Sequence, residues 1–145
     1  MKILVLHGPN LNLLGERQTD IYGKKTLEEI NSQLAQYASI QDIQIIAFQS
    51  NHEGELIDKI QEMRHSANGM LINPAGFAHT SVALYDSLLS YNKPIVEVHI
   101  TQPFHRETMR HPLITARAAQ GYVAGMGWKS YVYGLTALID MILAK

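Results

Sequence analysis

The chain has 145 residues, of which 46% are hydrophobic and 17% are charged. This length and composition predict one catalytic domain spanning residues 1–145, and they exclude a disordered or fibrous protein. Twelve basic and thirteen acidic residues give a formal net charge of -1, so no broad positive surface is expected for nucleic acid or an anionic membrane.

Short hydrophobic runs alternate with longer amphipathic stretches, which is typical of strands covered on both faces by helices. The strands are predicted at residues 3–6, 43–48, 70–72, 95–98 and 121–124. The helices are predicted at residues 26–37, 53–65, 81–89 and 128–143, and Thr26 with Glu29 forms a capping box for the first helix. This alternation predicts an α/β fold, a flavodoxin-like doubly wound sheet of five parallel strands in the order 2-1-3-4-5.

In such a sheet, ligands bind where loops leave the carboxyl ends of the strands, beside the point where the strand order reverses. Three loops at that edge carry polar residues that the fold does not need: residues 8–24, residues 73–80 and the segment after His99. The first loop is unusually long, because connections from a strand to a helix commonly take about 2–6 residues. We therefore expect the functional residues in these loops.

The first loop predicts a lid that carries a basic tyrosine. Arg17 and Tyr22 lie between Gly15 and Gly23, and small residues at both ends are typical of a movable segment. A guanidinium group within a few ångströms would lower the tyrosine pKa from about 10 by roughly 1–3 units, which would make Tyr22 a usable base. The alternative is that the Tyr22 ring packs under the loop while Arg17 is solvated.

The second loop, NPAGFAHTS, joins a strand to a helix. Its backbone N–H groups are expected to face the crevice at the positive end of that helix. Asn73 offers an amide donor and acceptor, and His79 with Thr80 could contact ligand hydroxyls. Thr80 or Ser81 is equally suited to capping the helix, so ligand binding and capping both remain open.

Glu97 and His99 end the fourth predicted strand, in VEVHITQPFHRETMR. Strand alternation puts both side chains on one face, where the carboxylate would fix the tautomer of the imidazole and raise its pKa. The pair predicts a proton donor, and a hydrogen-bonded structural histidine is the alternative. Either Arg106 or Arg110 could clamp a carboxylate, although the default for each is a solvated surface charge.

Histidines are abundant, but their spacing does not predict a metal site. The chain has seven histidines and no cysteine, and it lacks both HExxH and a compact carboxylate cluster. The nucleotide motifs GxGxxG and GxxxxGK[ST] are absent, as is the serine hydrolase motif GxSxG. We therefore expect chemistry without a metal or cofactor. The cysteine-free composition and the lack of a signal-peptide pattern predict a cytoplasmic protein. The near-zero net charge and the absence of an apolar stretch of transmembrane length predict that it binds neither nucleic acid nor membrane.

Taken together, these motifs resemble those of the type II 3-dehydroquinate dehydratases. They are GPNLNLLG followed by GERQTDIYG, then NPAGFAHTSVALYD, then PIVEVHIT with a downstream RETMR. The resemblance spans most of the chain. It implies the flavodoxin-like fold and a hydro-lyase of the shikimate pathway of aromatic amino-acid biosynthesis. Such an enzyme dehydrates 3-dehydroquinate to 3-dehydroshikimate by anti elimination through an enolate.

The resemblance also implies a role for each site residue. Tyr22 would remove a proton from C2, with Arg17 keeping its phenolate form available. His99, held by Glu97, would protonate the departing C1 hydroxyl, and Asn10 would place a water that stabilises the enolate charge. The implied substrate-binding residues are Asn73, His79, Asp86, Arg110 and, through their backbone amides, Ile100 and Thr101.

Assembly is part of what the resemblance implies, because Asp86 matches an acid that reaches the site of a neighbouring subunit in a homododecamer built of trimers. The lid departs from the family pattern Arg-Glu-Pro, since this chain has Arg17, Gln18 and Thr19 there. Loss of the proline is expected to loosen the lid. Two alternatives remain: a flavodoxin-like domain that binds nucleotide or flavin phosphate, and a scaffold protein without activity.

Overall fold

The computed structural model describes residues 1–144, which form a single sheet with helices on both faces. The five strands are β1 (Lys2–His7), β2 (Gln44–Gln49), β3 (Gly69–Asn73), β4 (Ile95–His99) and β5 (Gly121–Ala124). All neighbouring strands pair in parallel, in the order β2-β1-β3-β4-β5. The predicted fold class and strand order are therefore confirmed, and every strand boundary lies within about one residue of its predicted position.

Four long helices occur where they were predicted, and a fifth, short helix lies in the first loop. They are α1 (Thr19–Tyr22), α2 (Leu27–Ser39), α3 (Glu53–Met63), α4 (Val82–Tyr91) and α5 (Lys129–Leu143). The single turn α1 was not predicted, because four residues are too few to show a helical periodicity. No helix within residues 1–144 combines the length and apolar character needed to cross a membrane.

The capping box predicted at the start of α2 is present. The Thr26 hydroxyl accepts from the Glu29 N–H at 3.2 Å, and the Glu29 carboxylate accepts from the Thr26 N–H at 2.8 Å. These two bonds satisfy backbone donors that have no partner within the helix. The helix therefore begins where its sequence places the cap, and residues before Thr26 belong to the long first loop.

A hydrophobic core fills each face of the sheet. On one face Ile3 and Val5 of β1 pack with side chains of α2 and α5. On the other face Leu4 and Leu6 pack with side chains of α3 and α4. None of these four strand residues has exposed surface. Burial on both faces explains why β1 is a continuous hydrophobic run instead of an alternating one.

The strand order fixes the place of the site. The chain passes from β1 outward to β2 and then crosses back to β3 on the other side of β1. The connection that follows β1 therefore runs over one face of the sheet, and the connection that follows β3 runs over the opposite face. A crevice opens between such connections at the carboxyl ends of the strands, and all three polar loops begin at that edge.

Candidate active site

A cavity of about 190 Å³ opens at the carboxyl ends of β1, β3 and β4. Nine of the eleven predicted site residues line it, and the two that do not are Glu97 and Asp86. All three predicted loops contribute to its lining, which consists of Pro9, Asn10, Leu11, Arg17, Tyr22, Asn73, Ala75, Gly76, His79, His99, Ile100, Thr101, Pro103, Arg106 and Arg110.

The first two loops approach each other closely beside this cavity. The Gly8 N–H donates to the Asn73 carbonyl at 2.8 Å. A Cβ atom built on Gly8 would lie 2.3 Å from the Pro74 carbonyl oxygen. No side chain fits at that distance, so a glycine directly after β1 is required for the two loops to meet.

The lid, which we define as residues 15–24, brings Tyr22 to the cavity between two arginines. The guanidinium carbon of Arg17 lies 5.2 Å from the centre of the Tyr22 ring. Arg106, from the segment after β4, donates from Nη1 to the Tyr22 hydroxyl at 3.1 Å. Arg17 therefore faces the ring, whereas Arg106 contacts the oxygen that would carry the negative charge.

The pKa of Tyr22 is lowered below its ordinary value. Burial acts in the opposite direction and raises this pKa, because it disfavours the charged phenolate. The hydrogen bond from Arg106 and the charges of Arg106, Arg110 and Arg17 together outweigh burial. The sequence predicts Arg17 as the cation responsible, but Arg106 is the larger cause and Arg17 the smallest of the three.

Glu107 orients the two arginines that follow β4. Its carboxylate accepts from Arg110 Nε at 2.9 Å and lies 3.4 Å from Arg106 Nε. Arg106 Nη1 also donates to the Thr101 hydroxyl at 3.4 Å. The Glu107 carboxylate is exposed, so these ion pairs contribute little to stability. Their consequence is that both guanidinium groups stay at the cavity, where they can meet an anionic ligand.

β4 holds His99 against a buried carboxylate. His99 Nε2 lies 2.7 Å from Glu97 Oε1, and the Thr115 hydroxyl donates to Glu97 Oε2 at 2.7 Å. Glu97 and Thr115 have no exposed surface. Because an ionised carboxylate only accepts, His99 Nε2 carries a proton and Nδ1 is the ring nitrogen left for a ligand. The predicted pairing of Glu97 with His99 is confirmed, while Thr115 was not predicted.

His79 lies next to His99, with 6.3 Å between the centres of the two stacked rings. Its Nδ1 donates to the Pro112 carbonyl at 2.8 Å. Burial lowers the pKa of His79, the hydrogen bond to Pro112 opposes this, and the charges of His99 and Arg110 lower the pKa further. The neutral ring keeps Nε2 as an acceptor, which suits the predicted contact with a ligand hydroxyl.

Two asparagines place their amides at the cavity. Asn73 ends β3, is 3% exposed, and its Oδ1 accepts from the Ala75 N–H at 3.1 Å. Asn10 has a left-handed φ of 68°, and its backbone N–H donates to Asn51 Oδ1 at 2.9 Å. Asparagine tolerates this backbone conformation better than most residues. Local hydrogen bonds thus fix the backbone at both positions and leave amide N–H groups for a ligand.

The remaining predicted residues divide into two groups. Ile100 and Thr101 line the cavity directly after β4, whereas Asp86 lies on the exposed side of α4, outside the cavity of its own chain. Thr80 does not line the cavity either. Ser81 caps α4, since its hydroxyl accepts from a backbone N–H of that helix at 2.8 Å. Capping therefore accounts for Ser81, and the earlier residues of the second loop are left for ligand binding.

The lid has a backbone conformation that a proline would disfavour. Gln18 is left-handed, with φ 42° and ψ 50°, and Thr19 begins α1. A residue that precedes proline avoids helical conformations of this kind and prefers an extended one. The lid ends, Gly15 and Gly23, also have positive φ, of 86° and 83°. Threonine in place of proline thus permits the turn at Gln18.

Comparisons with known proteins agree with one another. Residues 1–139 match the family model described as dehydroquinase class II. The chain is 52% identical over 142 residues to the 3-dehydroquinate dehydratase of Carboxydothermus hydrogenoformans, a match that covers 98% of this chain and 92% of that protein. The type II dehydroquinase of Butyrivibrio crossotus has a crystal structure similar to this chain, with a TM-score of 0.92, 40% identity, and coverage of 99% and 97%. That of Propionibacterium acnes is similar as well, with a TM-score of 0.92, 32% identity and 96% coverage of both chains.

Proposed function

This chain belongs to the class II dehydroquinase family, and on that premise we propose how its cavity carries out the reaction. The protein is a hydro-lyase that dehydrates 3-dehydroquinate, the step that forms 3-dehydroshikimate in the shikimate pathway. A C2 proton and the C1 hydroxyl must leave the substrate in this reaction. The site therefore needs a base, an acid, and groups that stabilise the enolate between the two steps.

We assign the base to Tyr22. A phenol with an ordinary pKa of about 10 is a poor base at neutral pH, and the surrounding guanidinium groups lower the pKa of Tyr22. The hydrogen bond of 3.1 Å from Arg106 to its hydroxyl is the observation that carries this assignment. The phenolate would take the C2 proton, which the adjacent ketone acidifies, and the electron pair would move to the enolate oxygen. Arg17 would support the phenolate from the lid.

We assign the acid to His99. With Nε2 bound to the Glu97 carboxylate at 2.7 Å, a proton on Nδ1 makes an imidazolium whose charge the carboxylate compensates. Nδ1 would deliver this proton to the C1 hydroxyl as the C1–O bond breaks and the enolate collapses to the enone. Water leaves, and one proton then passes from Tyr22 back to His99 through solvent. Thr115 keeps the second oxygen of Glu97 occupied, which fixes the orientation of the dyad.

The substrate carboxylate would bind at the carboxyl end of β4. Ile100 and Thr101 line the cavity there, and Arg110 lies at the same edge; the backbone amides of the first two and the guanidinium of the third would bind the carboxylate. A carboxylate bound by backbone N–H groups and a guanidinium would orient the ring, because both kinds of donor are directional. Asn10, on the first loop, would place a water molecule that stabilises the enolate oxygen.

The ring hydroxyls would contact Asn73 and His79. Asp86 would complete the site of a neighbouring subunit in a homododecamer built of trimers, and its exposed position outside its own cavity supports that role. Cytoplasmic residence is proposed from the cysteine-free composition. A flavodoxin-like nucleotide or flavin phosphate site is not favoured, since phosphate binding does not account for the arginines around Tyr22 or for the pairing of Glu97 with His99.

An activity assay tests these assignments directly. The purified chain should convert 3-dehydroquinate to an enone that absorbs in the ultraviolet, and Tyr22→Phe should abolish this conversion. Tyr133→Phe is the matched control, because Tyr133 is 51% exposed on α5 and does not line the cavity. Borohydride added with substrate should not inactivate the enzyme, since no lysine imine forms. Inactivation by borohydride, or substantial activity in Tyr22→Phe, would refute the assignment of the base.

A further inference from the structure

The chain that leaves the lid is fastened to the start of α5 by a cation–π contact. Lys25 follows the lid directly, and its Nζ lies 4.3 Å from the centre of the Trp128 ring. Trp128 is the single tryptophan of the chain and directly precedes α5. Lys25 and Trp128 are both partly buried, whereas the neighbouring Lys24 is exposed. We call the contact between Lys25 and Trp128 the lid clasp.

Trp128 is a firm point of attachment for the lid. It packs against the hydrophobic cluster on the face of the sheet that α2 and α5 cover. The turn before Trp128 is bound to the carboxyl end of β4. There the Gly125 N–H donates to the His99 carbonyl at 3.3 Å, and one turn residue further on the Gly127 N–H donates to the Ile100 carbonyl at 3.0 Å. Trp128 therefore keeps its place relative to His99, the residue assigned as the acid.

The two ends of the lid lie against each other beside the clasp. A Cβ atom built on Gly15 would lie 2.9 Å from the Lys24 carbonyl oxygen and 3.0 Å from the Thr26 methyl group. The lid is therefore a loop with a narrow base, and Lys25 belongs to that base. Tyr22 is separated from Lys25 by only two residues. Fixing Lys25 thus limits the positions that the Tyr22 ring can reach.

We propose that Lys25 and Trp128 are positioning residues, and that the lid clasp favours the lid position in which Arg106 contacts the Tyr22 hydroxyl. The clasp thereby sets the place of the base Tyr22 relative to the acid His99, so this inference rests on the roles proposed for those two residues. Tyr22 packs against the same hydrophobic cluster as Trp128. Release of Lys25 would let the lid lift Tyr22 away from that cluster and from Arg106.

The first test is Lys25→Met, which keeps a side chain of similar length and removes the charge. Loss of an exposed cation–π contact changes an equilibrium by roughly twofold to fivefold. KM for 3-dehydroquinate should rise by that factor, because only the closed lid binds the substrate productively. We expect kcat to stay within roughly twofold, since bound substrate itself holds the lid closed. Lys25→Arg should keep the wild-type KM, because a guanidinium also stacks on an aromatic ring.

A second background shows whether the effect passes through the tryptophan. When Trp128→Leu is already present, Lys25→Met should not raise KM further, because the contact has been lost. An equal rise of KM in both backgrounds, or no rise in either, would overturn the proposal. The proposal also fails if Lys25→Arg raises KM as much as Lys25→Met does.

Lys24→Met is the matched control for loss of a positive charge. It removes the same charge from the adjacent, exposed position. This variant should keep the wild-type KM and kcat. If it raised KM as much as Lys25→Met does, general attraction between the lysines and an anionic substrate would account for both effects, and the lid clasp would be refuted.

The second test needs no substrate. Release of the clasp should weaken the contact between Arg106 and the Tyr22 hydroxyl, which lowers the pKa of Tyr22. NMR titration of the Tyr22 ring carbon that bears the hydroxyl should therefore give a higher pKa in Lys25→Met than in Lys24→Met. A contact that only stabilised the fold would lower the free energy of unfolding and leave this pKa in place.

Equal pKa values of Tyr22 in these two variants would overturn the proposal. The outcome is separate from that of the proposed function. If the wild-type protein failed to turn over 3-dehydroquinate, the proposed function would fail, whereas the titration would still decide whether the lid clasp positions Tyr22.

Discussion

The two halves of the site are held in different ways. Asn73 at the end of β3, with Glu97 and His99 on β4, form what we call the platform, and these side chains are 3%, 0% and 6% exposed. The lid is mostly exposed, and Tyr22 is only partly buried. Each platform side chain has a partner on a strand or an adjoining turn, whereas Tyr22 depends on Arg106 from a separate loop. The fold thus preorganises the acid, and the base becomes active when two loops meet.

This difference separates the effects of mutations. Changes in the lid should reduce turnover and leave the free energy of unfolding almost unchanged, because exposed segments open locally before the protein unfolds. Changes in the platform should affect both quantities, and changes beneath it should affect stability, because they leave buried polar groups without partners. The comparison fails if a lid variant unfolds more easily or if a platform variant alters turnover alone.

The largest expected effect is that of Tyr22→Phe on turnover. A positioned general base contributes roughly 10²–10⁴-fold, so kcat should fall by at least that factor. The free energy of unfolding, measured in urea, should match the wild type because only a half-exposed hydroxyl is lost. Loss of stability together with activity would show that the lid is part of the folded core and would remove the contrast between the two halves.

The next effect concerns the pH dependence of stability beneath the platform. The pKa of His7 is about 4 in the folded protein and about 6.5 in an unfolded chain. As the pH falls from about 6.5 to 4, His7 therefore becomes protonated in the unfolded state but stays neutral in the folded state. The free energy of unfolding should fall by about 3 kcal/mol over this range. Urea unfolding at several pH values should show this slope in the wild type and a smaller slope in His7→Gln. Equal slopes in the two proteins would contradict the attribution of this pH dependence to His7.

Glu97→Gln tests the platform by a different route. The amide replaces one of the two accepting oxygens of Glu97 with an NH₂ group, so His99 Nε2–H and the Thr115 hydroxyl can no longer both donate to it. We therefore expect a loss of about 1–3 kcal/mol in the free energy of unfolding. Turnover should fall as well, since the imidazolium of His99 loses its counter-charge. Glu62→Gln, at an exposed carboxylate on α3, should change the stability by less than about 0.5 kcal/mol. A fully active and stable Glu97→Gln would disprove the dyad.

The smallest effects come from two left-handed residues, one in each half of the site. Ala75 and Gln18 have φ of 50° and 42°. Ala75→Gly should raise the free energy of unfolding by about 0.5–1 kcal/mol, because it relieves backbone strain at some cost in the entropy of the unfolded chain. Gln18→Gly should leave this free energy unchanged, since the lid opens first. Urea unfolding of both variants measures these two free-energy changes. Equal stabilisation by Ala75→Gly and Gln18→Gly would show that the lid unfolds together with the rest of the protein.

Local patterns in the sequence were sufficient for the fold. Strand runs with the hydrophobicity of two-sided burial predicted all five strands, and Thr26 with Glu29 predicted the start of α2. The pairing of Glu97 with His99 was also predictable, because two residues separated by one position on a strand share a face. These features depend on contacts between neighbours in the chain, and such contacts leave a periodic signal.

The rest of the site depends on contacts between distant segments. Arg106 and Tyr22 are 84 positions apart, and His7 and Tyr131 are 124 apart. No periodicity links such pairs. Arg106 also lies in a region of short 3-10 turns and irregular backbone between β4 and β5, where neither helical nor strand spacing indicates which way a side chain points. The cation that matters most to Tyr22 therefore could not be distinguished from Arg17 by spacing.

The central claim is that guanidinium groups, Arg106 above all, lower the pKa of the Tyr22 phenol. An NMR titration of the Tyr22 ring carbon that bears the hydroxyl tests it most directly, with Tyr22→Phe identifying the signal among the seven tyrosines. We predict ionisation below the ordinary tyrosine pKa of about 10, and a rise of this pKa that is larger in Arg106→Gln than in Arg17→Gln. Ionisation of wild-type Tyr22 at or above the ordinary value, or an unchanged pKa in Arg106→Gln, would contradict the account.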